Sequence, residues 1–412
     1  MSLPIRSLPD HATHSICKLS ALIALAGLCA IAAPPTLSWA QSEVTPSAKA
    51  PKPEAGVAEM PAEMAALRAV CLDMIDLARS DRRKISDAIL KCQDAVRVAP
   101  DDANLVFAYG QILSDALVFD ELAVLQFRKA AETGHAGAEN ALGIALVNGR
   151  GTEPDVAAGI GWLEKAAEHG LADAQNNLGS LHAAGIGGPK NLEKAIQWFR
   201  KAAEAGDPQG EYNLAEAYAV GEGVAQDWPT AIAWYDKASQ HGMARADHRL
   251  WRIHSEGLGV VADPARGLAS LRKAAEAGYP PAAFDLARAY RAGQGVEKDD
   301  GEAIGWYRIA AQKGYAPAQF YLGLGLAQEQ QFVESVEWLG RAAAQGHPDA
   351  QYVTGVFLED GIGGQAPDPV KAVEWYRKAA AQGQQKAAAA LLALGKNDKT
   401  RREATPEPVR PQ

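Results

Sequence analysis

Four kinds of side chain in this 412-residue sequence have types and spacings that could support chemistry: a serine–lysine pair, paired glycines, histidines and cysteines. Ser270 and Lys273 have the Ser-x-x-Lys spacing with which penicillin-recognising enzymes form an acyl-enzyme. The chain has neither the Lys-Thr-Gly nor the Ser-Asp-Asn segment of such a site. Lysines also recur in the register of Lys273. A hydrolase is therefore kept only as an alternative function.

The glycine pairs and the histidines also lack the spacing of a reactive site. No glycine pair ends in Gly-Lys-Ser/Thr or follows a predicted strand, as a phosphate-binding loop would. No two histidines flank a general base in the manner of a zinc protease. The histidines considered are His135, His169, His182, His241, His248, His254 and His347. The sequence predicts no catalytic residue, no cofactor and no metal site.

Residues 1–40 have the pattern of a secretory signal peptide. A weakly basic start precedes the apolar run Leu19–Ala33, and Ser38 and Ala40 are the small residues that a signal peptidase reads. The run is shorter than the ~20 residues that span a bilayer, so we expect cleavage after Ala40 and no stable membrane insertion afterwards. An uncleaved anchor is the alternative. The predicted location is periplasmic or secreted.

Two cysteines, Cys71 and Cys92, remain in the predicted mature chain. An even number of cysteines in an oxidising compartment indicates a disulfide. They lie on the apolar helical stretches Met64–Ala78 and Ile85–Val98, which an antiparallel arrangement would bring together. Two buried free thiols are the alternative.

The elements that position these residues are repeats, each closed by a glycine shortly after a Lys-Ala-Ala-like triplet. The steps between successive glycines are 36, 36, 36, 36, 36, 32 and 37 residues. The glycines are Gly134, Gly170, Gly206, Gly242, Gly278, Gly314, Gly346 and Gly383. Such a period is typical of a solenoid, in which each unit packs on its neighbours.

Each repeat predicts two helices joined by a glycine-containing loop. In the unit 171–206, apolar residues at helical spacing predict a first helix, which Gly185–Pro189 ends. A second helix follows and carries a recurring tryptophan. We expect its indole to fill the space between neighbouring helices. The tryptophans are Trp162, Trp198, Trp234, Trp306, Trp338 and Trp375.

The stretch AFDLARAYRAGQGVEKDDGEAIGWYRIAAQKG (Ala283–Gly314) carries almost the whole pattern of the Sel-like repeat (SLR) family, a relative of tetratricopeptide repeats. The resemblance covers about residues 135–383, as seven units. It implies an all-α fold, a right-handed superhelical α-solenoid of helix–loop–helix repeats. It also implies a concave surface lined by the first helices, with use in assembling complexes rather than in catalysis.

The resemblance and the composition together set the domain boundaries. A linker at 41–60, expected to be disordered, precedes an N-terminal helical cap at 61–134. Within the cap, Ile85–Gly134 is similar to a tetratricopeptide unit without the glycine loop. A C-terminal capping helix is predicted at 384–395, and a disordered tail at 396–412.

Two repeats depart from the shared pattern. The sixth unit, Tyr315–Gly346, is four residues short and has lost its glycine loop, so we expect a tight connection. In the fourth unit, Trp251 replaces a small residue and Ser270 replaces the tryptophan. We interpret this exchange as compensation of volume in the packing.

One first-helix position, six residues after each linker glycine, changes from amide to aromatic along the array. If it points into the concave groove, its aromatic members suit contact with a peptide or a glycan. Packing between repeats is the alternative. The ladder residues are Asn140, Asn176, Tyr212, His248, Phe284, Phe320 and Tyr352.

Arginines of the fourth and fifth units provide a second candidate surface. Arg245, Arg249 and Arg252 lie at helical spacing, as do Arg288 and Arg291. We expect adjacent units to bring most of them onto one patch. Clustered guanidinium groups bind carboxylates, so an acidic peptide segment, a C-terminus or an acidic sugar is a suitable ligand. A solvated face paired with nearby aspartates is the alternative.

The predicted function is therefore that of an exported, non-catalytic scaffold that binds a protein or peptide segment, with an acidic segment as one suitable ligand. The formal net charge of −9 disfavours nucleic acid, which a basic surface would bind. A cell-wall or polysaccharide-binding module would use the same aromatic positions and is the main alternative. The sequence leaves the oligomeric state open.

Overall fold

The computed structural model describes residues 62–404, so the predicted signal peptide (1–40), the linker (41–60) and residues 405–412 lie outside the described range. Within that range the chain forms nineteen α-helices and a 3₁₀ helix, Arg82–Lys84, without strands. This confirms the predicted all-α repeat solenoid. The chain divides into two compact units, and their described parts are residues 62–246 and 247–404.

The N-terminal unit begins with two helical pairs, which precede the repeats. Its helices are α1 (Ala62–Ser80), α2 (Ile85–Val98), α3 (Ala103–Asp115), α4 (Asp120–Ala131), α5 (Ala136–Asn148), α6 (Val156–Glu168), α7 (Ala172–Ala184), α8 (Leu192–Glu204), α9 (Pro208–Val220) and α10 (Trp228–Gln240).

The C-terminal unit continues the same alternation, and the division between the units falls inside its first helix. The helices are α11 (Ala244–Glu256), α12 (Pro264–Glu276), α13 (Pro280–Ala292), α14 (Asp300–Gln312), α15 (Ala316–Gln328), α16 (Phe332–Ala344), α17 (Pro348–Asp360), α18 (Pro369–Ala381) and α19 (Gln385–Ala404). Helix α19 continues past the predicted boundary at residue 395. No glycine or proline interrupts residues 396–404.

Helices α1 and α2 form an antiparallel hairpin that a disulfide closes. Cys71 and Cys92 are bonded and fully buried, as predicted from their number and placement. The segment Ile85–Gly134 was expected to form one helical pair, but its first helix, α2, packs on α1. It contains α2 together with the separate pair α3–α4. The apolar stretch at 64–78 supplies the partner that α2 needs to bury its own apolar face.

The repeats follow the predicted pattern, with two helices of 13 residues in each. In most repeats a glycine in the left-handed conformation ends the first helix, which a residue with a Cβ adopts only at a cost. An aspartate or asparagine then caps the second helix by accepting a backbone N–H. These caps are Asp155, Asn191, Asp227, Asp263, Asp299 and Asp368.

The sixth repeat has the tight connection predicted for it, only three residues long (Glu329–Gln331). Gln330 adopts a φ of 62°, the left-handed conformation that other repeats give to glycine. Leu117, between α3 and α4, does the same with a φ of 60°. Each carries strain of about 1–2 kcal/mol because its Cβ crowds the following carbonyl.

We expected the tryptophan to pack between the two helices of a repeat. The residue that follows the tryptophan occupies this position instead. A Cβ on Gly179 would lie 2.5 Å from the Phe199 ring, and a Cβ on Gly355 would lie 2.5 Å from the Tyr376 ring. The residues in this buried position are Leu163, Phe199, Tyr235, Leu271, Tyr307, Leu339 and Tyr376. Most of the tryptophans are half-buried instead.

A cation covers most of the repeat indoles. Lys165, Lys201, Lys237, Arg341 and Lys378 lie 3.7–4.5 Å from the centres of the tryptophan rings three residues before them. The Trp251 ring contacts the His248 ring, with centres 5.1 Å apart. Ser270 stands at a tryptophan position that is only half-buried, so little interior volume was available for Trp251 to compensate.

Candidate functional site

The residues with apparent catalytic spacing have structural partners. Ser270 Oγ donates to the Arg266 carbonyl at 3.3 Å, and Lys273 Nζ pairs with Asp247 Oδ1 at 3.0 Å. His135 and His347 cap helices by accepting a backbone N–H, and burial lowers the pKa of both. These groups therefore stabilise helix ends and helix contacts.

A metal-binding cluster and a membrane-spanning helix are both absent from the part of the chain that the structure describes. Residues 62–404 contain no group of three or more His, Cys, Asp or Glu side chains placed to hold a metal ion. Among the same residues, no helix combines the length and the apolar character needed to cross a bilayer.

The first three ladder residues are buried in the N-terminal unit, where they connect successive repeats. Asn177 Nδ2 donates to Asn140 Oδ1 at 2.9 Å. One repeat later, Asn213 Nδ2 donates to Asn176 Oδ1 at 2.8 Å. Tyr212 is only 3% exposed. These three side chains therefore pack between repeats, which was the alternative interpretation, because none offers much surface to a ligand.

In the C-terminal unit, the same repeat-to-repeat contacts are made by an imidazole–carboxylate pair and by aromatic rings instead of amides. His248 Nε2 lies 2.9 Å from Asp285 Oδ2, one repeat further on. The ring centres of Phe284 and Tyr321 are 5.6 Å apart in the same relation. Phe320 is buried in the packing. His248, Phe284 and Tyr352 are the half-buried ladder residues, so these three retain side-chain surface for a ligand.

The arginines expected to form one patch have different neighbours. In the N-terminal unit, the Arg245 guanidinium lies 4.7 Å from the centre of the Tyr212 ring. In the C-terminal unit, Arg252 pairs with Glu256 on its own helix, at 3.2 Å. Arg288 is exposed and Arg291 is half-buried, and both contact the same group of aromatic rings. We therefore centre the candidate site on Arg288 and Arg291.

These rings form an aromatic cluster contributed by α13, α14, α15 and the residue before α15. Phe284 lies at its centre, 5.5–5.6 Å from the rings of Tyr307, Tyr315 and Tyr321. The rings of Tyr307 and Tyr321 are stacked, with centres 5.5 Å apart. We call the four residues Phe284, Tyr307, Tyr315 and Tyr321 the aromatic cluster.

The arginines cover the aromatic cluster with positive charge. The Arg288 guanidinium lies 5.9 Å from the Phe284 ring centre, and that of Arg291 lies 5.5 Å from the Tyr321 ring centre. Arg288 Nη1 also contacts Asp285 Oδ1 at 3.3 Å. This arrangement combines apolar rings with donor-only cations, which suits a ligand that is both apolar and anionic.

Burial dominates the ionisation of the two tyrosines in the interior of the cluster. It raises the pKa of Tyr307 to about 12, and the charges of Arg291 and Arg288 oppose that rise. Burial also raises the pKa of Tyr315, with help from the negative charge of Asp285. Both phenols are therefore neutral hydrogen-bond donors near neutral pH.

The sequence predicted Phe284, Arg288 and Arg291 as site residues, but not Tyr307, Tyr315 and Tyr321. A signal was available for each: Tyr307 directly follows a repeat tryptophan, Tyr315 a linker glycine and Tyr321 a ladder residue. These signals are informative only when it is known which residue faces the neighbouring helix, and the sequence pattern favoured the tryptophan for that position.

The family model of the Sel1 repeat matches seven consecutive segments of the chain. They are residues 136–171, 172–207, 208–243, 245–279, 280–315, 316–347 and 348–384. The matches confirm the number and the register of the predicted units, including the short sixth one.

Two solved structures of similar proteins extend this result. One is a protective antigen present in uropathogenic Escherichia coli strains, displaying an SLR fold. It is 32% identical, with 74% of this chain and 67% of that chain covered and a TM-score of 0.55. The other is a Sel1 repeat protein from Oxalobacter formigenes. It is 25% identical, with 85% and 98% covered and a TM-score of 0.54. Among proteins with curated functions, none matches the chain.

Proposed function

The chain belongs to the Sel1 repeat family, and on that premise we propose that it is an exported, non-catalytic scaffold that binds a protein or peptide segment. Proteins built from Sel1 repeats are generally scaffolds for protein interaction, and their solenoid is typically non-catalytic. The finer parts of the proposal are the export, the location of the binding surface and the acidic character of the ligand.

The observation that carries the binding proposal is the placement of two arginines on the aromatic cluster. Arg288 and Arg291 lie one helical turn apart on α13, and each covers an aromatic ring. Aromatic and arginine side chains together are typical of the residues that dominate binding energy at protein interfaces. Asp285 neutralises part of the charge of Arg288, whereas Arg291 has no carboxylate partner among residues 62–404.

Affinity capture from an envelope extract tests this surface. The chain is compared with the double variant Arg288→Glu/Arg291→Glu and with Arg377→Glu, which reverses an exposed arginine on α18, in a different repeat. We expect partners to be lost with the double variant and retained with Arg377→Glu. Equal capture by all three proteins contradicts the proposed surface.

The capture experiment and a separate activity assay distinguish the other functional classes. Recovery of glycan without protein favours a polysaccharide-binding module. Turnover of nitrocefin that depends on Ser270 favours a penicillin-recognising hydrolase. The structure gives little support to either alternative, because most ladder residues are buried and because Lys273 is paired with Asp247.

Export is supported by the bonded pair Cys71–Cys92, because disulfides persist mainly in oxidising compartments. Fractionation of cells that express the full chain, followed by N-terminal sequencing, tests it. We expect a protein beginning at Gln41 in the periplasm or the medium. A cytoplasmic protein that retains residues 1–40 contradicts export.

A further inference from the structure

Three repeats place a tyrosine at the buried position that follows the second-helix tryptophan. Tyr235, Tyr307 and Tyr376 are each at most 2% exposed. A buried hydroxyl needs a hydrogen-bond acceptor, since it has lost its contact with water. Tyr235 donates to Glu216 Oε1 at 2.7 Å, and Tyr376 donates to Glu359 Oε2 at 2.7 Å. In the third and seventh repeats, a carboxylate of the chain itself therefore satisfies the tyrosine.

The fifth repeat lacks this carboxylate. Counted from the repeat starts at residues 208, 280 and 348, Glu216 and Arg288 share one position, eight residues on. Glu359 and Arg291 share another, eleven residues on. Both positions that supply an acceptor elsewhere therefore hold arginine here. No group within the described residues accepts a hydrogen bond from the buried Tyr307 hydroxyl, and an arginine cannot accept one because its guanidinium only donates.

The surroundings of Tyr307 contain donors and positive charge. Arg291 rests on the Tyr321 ring, which is stacked on the Tyr307 ring. Arg288 lies over Phe284, the central residue of the aromatic cluster. The nearby carboxylate of Asp285 is already engaged by His248 and by Arg288, at 2.9 and 3.3 Å.

We propose that the fifth repeat contains a carboxylate-binding site, in which a ligand supplies the group that Glu216 and Glu359 supply in their own repeats. The ligand carboxylate accepts the hydrogen bond of Tyr307 and pairs with Arg291 and Arg288. A change of the Arg291 rotamer opens the way to the buried hydroxyl. This inference rests on the proposed function in one respect: it assigns the carboxylate to a bound peptide segment.

Calorimetric titration of the disulfide-bonded chain tests the site with three probes. They are an acetylated penta-alanine peptide with a free C-terminal carboxylate, the same peptide with a C-terminal amide, and acetate. We expect the carboxylate peptide to bind at least about tenfold more tightly than the amide, since a charge-assisted hydrogen bond is lost with the amide. Equal affinity of the two peptides overturns the site.

Three variants assign the binding to the residues named. Tyr307→Phe removes a hydroxyl that donates to no group in the free protein, so we expect the variant to fold normally and to lose at least about tenfold in affinity. Arg291→Glu reproduces the seventh repeat, so its own carboxylate should occupy the site and abolish binding. Tyr376→Phe is the matched control and should bind like the unaltered chain. Unchanged binding by Tyr307→Phe overturns the proposal.

Acetate separates this inference from the proposed function. If acetate binds as tightly as the carboxylate peptide, and Tyr307→Phe abolishes both, the site is supported and its assignment to a peptide ligand fails. If only the peptide binds measurably, both are supported. Loss of partner capture without any effect of Tyr307→Phe on the titration supports the proposed function and overturns this site.

Discussion

Replacing each buried repeat tyrosine by phenylalanine should change stability by different amounts, although the chemical change is the same. The substitutions are Tyr235→Phe, Tyr376→Phe and Tyr307→Phe. Each deletes one hydroxyl from a side chain that is at most 2% exposed and leaves the packed ring in place. The three effects therefore measure what each hydroxyl does in its own repeat.

The carboxylate left behind sets the magnitude. Tyr235→Phe removes the hydroxyl that donates to Glu216. Because Glu216 is only 2% exposed, little water can replace that donor, and we expect the free energy of unfolding to fall by about 1–3 kcal/mol. Glu359 is half-buried and can regain water, so Tyr376→Phe should cost about 0.5–1.5 kcal/mol. Tyr307→Phe removes a buried hydroxyl without an acceptor, so we expect no loss and a gain of up to about 1 kcal/mol.

Urea unfolding followed by circular dichroism and by tryptophan fluorescence measures the series. Arrays of repeats can unfold in stages, so the comparison uses the midpoint of each transition as well as a single free energy. A loss of stability in Tyr307→Phe as large as that in Tyr235→Phe would reveal an acceptor at Tyr307 and contradict this prediction. The measurement is made without added carboxylate, including acetate buffer.

Three further predictions concern other parts of the fold. Burial, aided by the charge of Asp207, raises the pKa of Asp173 to about 6. The protonated carboxyl is therefore compatible with folding below pH 4, and the stability of the fold falls as the pH rises through 6 and the carboxyl ionises. Asp173→Asn should therefore stabilise the chain by about 1 kcal/mol at pH 7 and by nothing below pH 4, as urea titrations at both pH values will show. Gln330→Gly should raise the thermal midpoint, equivalent to about 0.5–1 kcal/mol, by relieving the positive φ. Reduction of Cys71–Cys92 should cost about 3 kcal/mol, measured as a lower urea midpoint of helicity.

The period and the composition were sufficient to predict the elements of the repeats. A glycine ends a first helix and an aspartate or asparagine begins a second one because of local backbone chemistry, which the sequence shows directly. The pairing of Cys71 with Cys92 was predictable from counting, since the predicted mature chain contains only these two cysteines. The tight sixth loop followed from counting residues.

The candidate site was only partly predictable because it depends on contacts between helices. The ladder position was recognised, but whether Tyr212 faces a groove or the next repeat depends on the neighbouring repeat. The role of Tyr307 depends on which of two adjacent residues, Trp306 or Tyr307, turns inward. The absence of an acceptor becomes visible only when the fifth repeat is compared with the third and the seventh in three dimensions.

The disulfide between α1 and α2 has a consequence for how the molecule unravels. Terminal elements of a linear array have a neighbour on one side only, so fraying and proteolysis begin at the ends. The N-terminal hairpin is closed covalently, whereas the chain has no cysteine after Cys92. Unravelling should therefore have a direction: α19 and α18 open first under oxidising conditions, and a reductant makes the opposite end equally vulnerable.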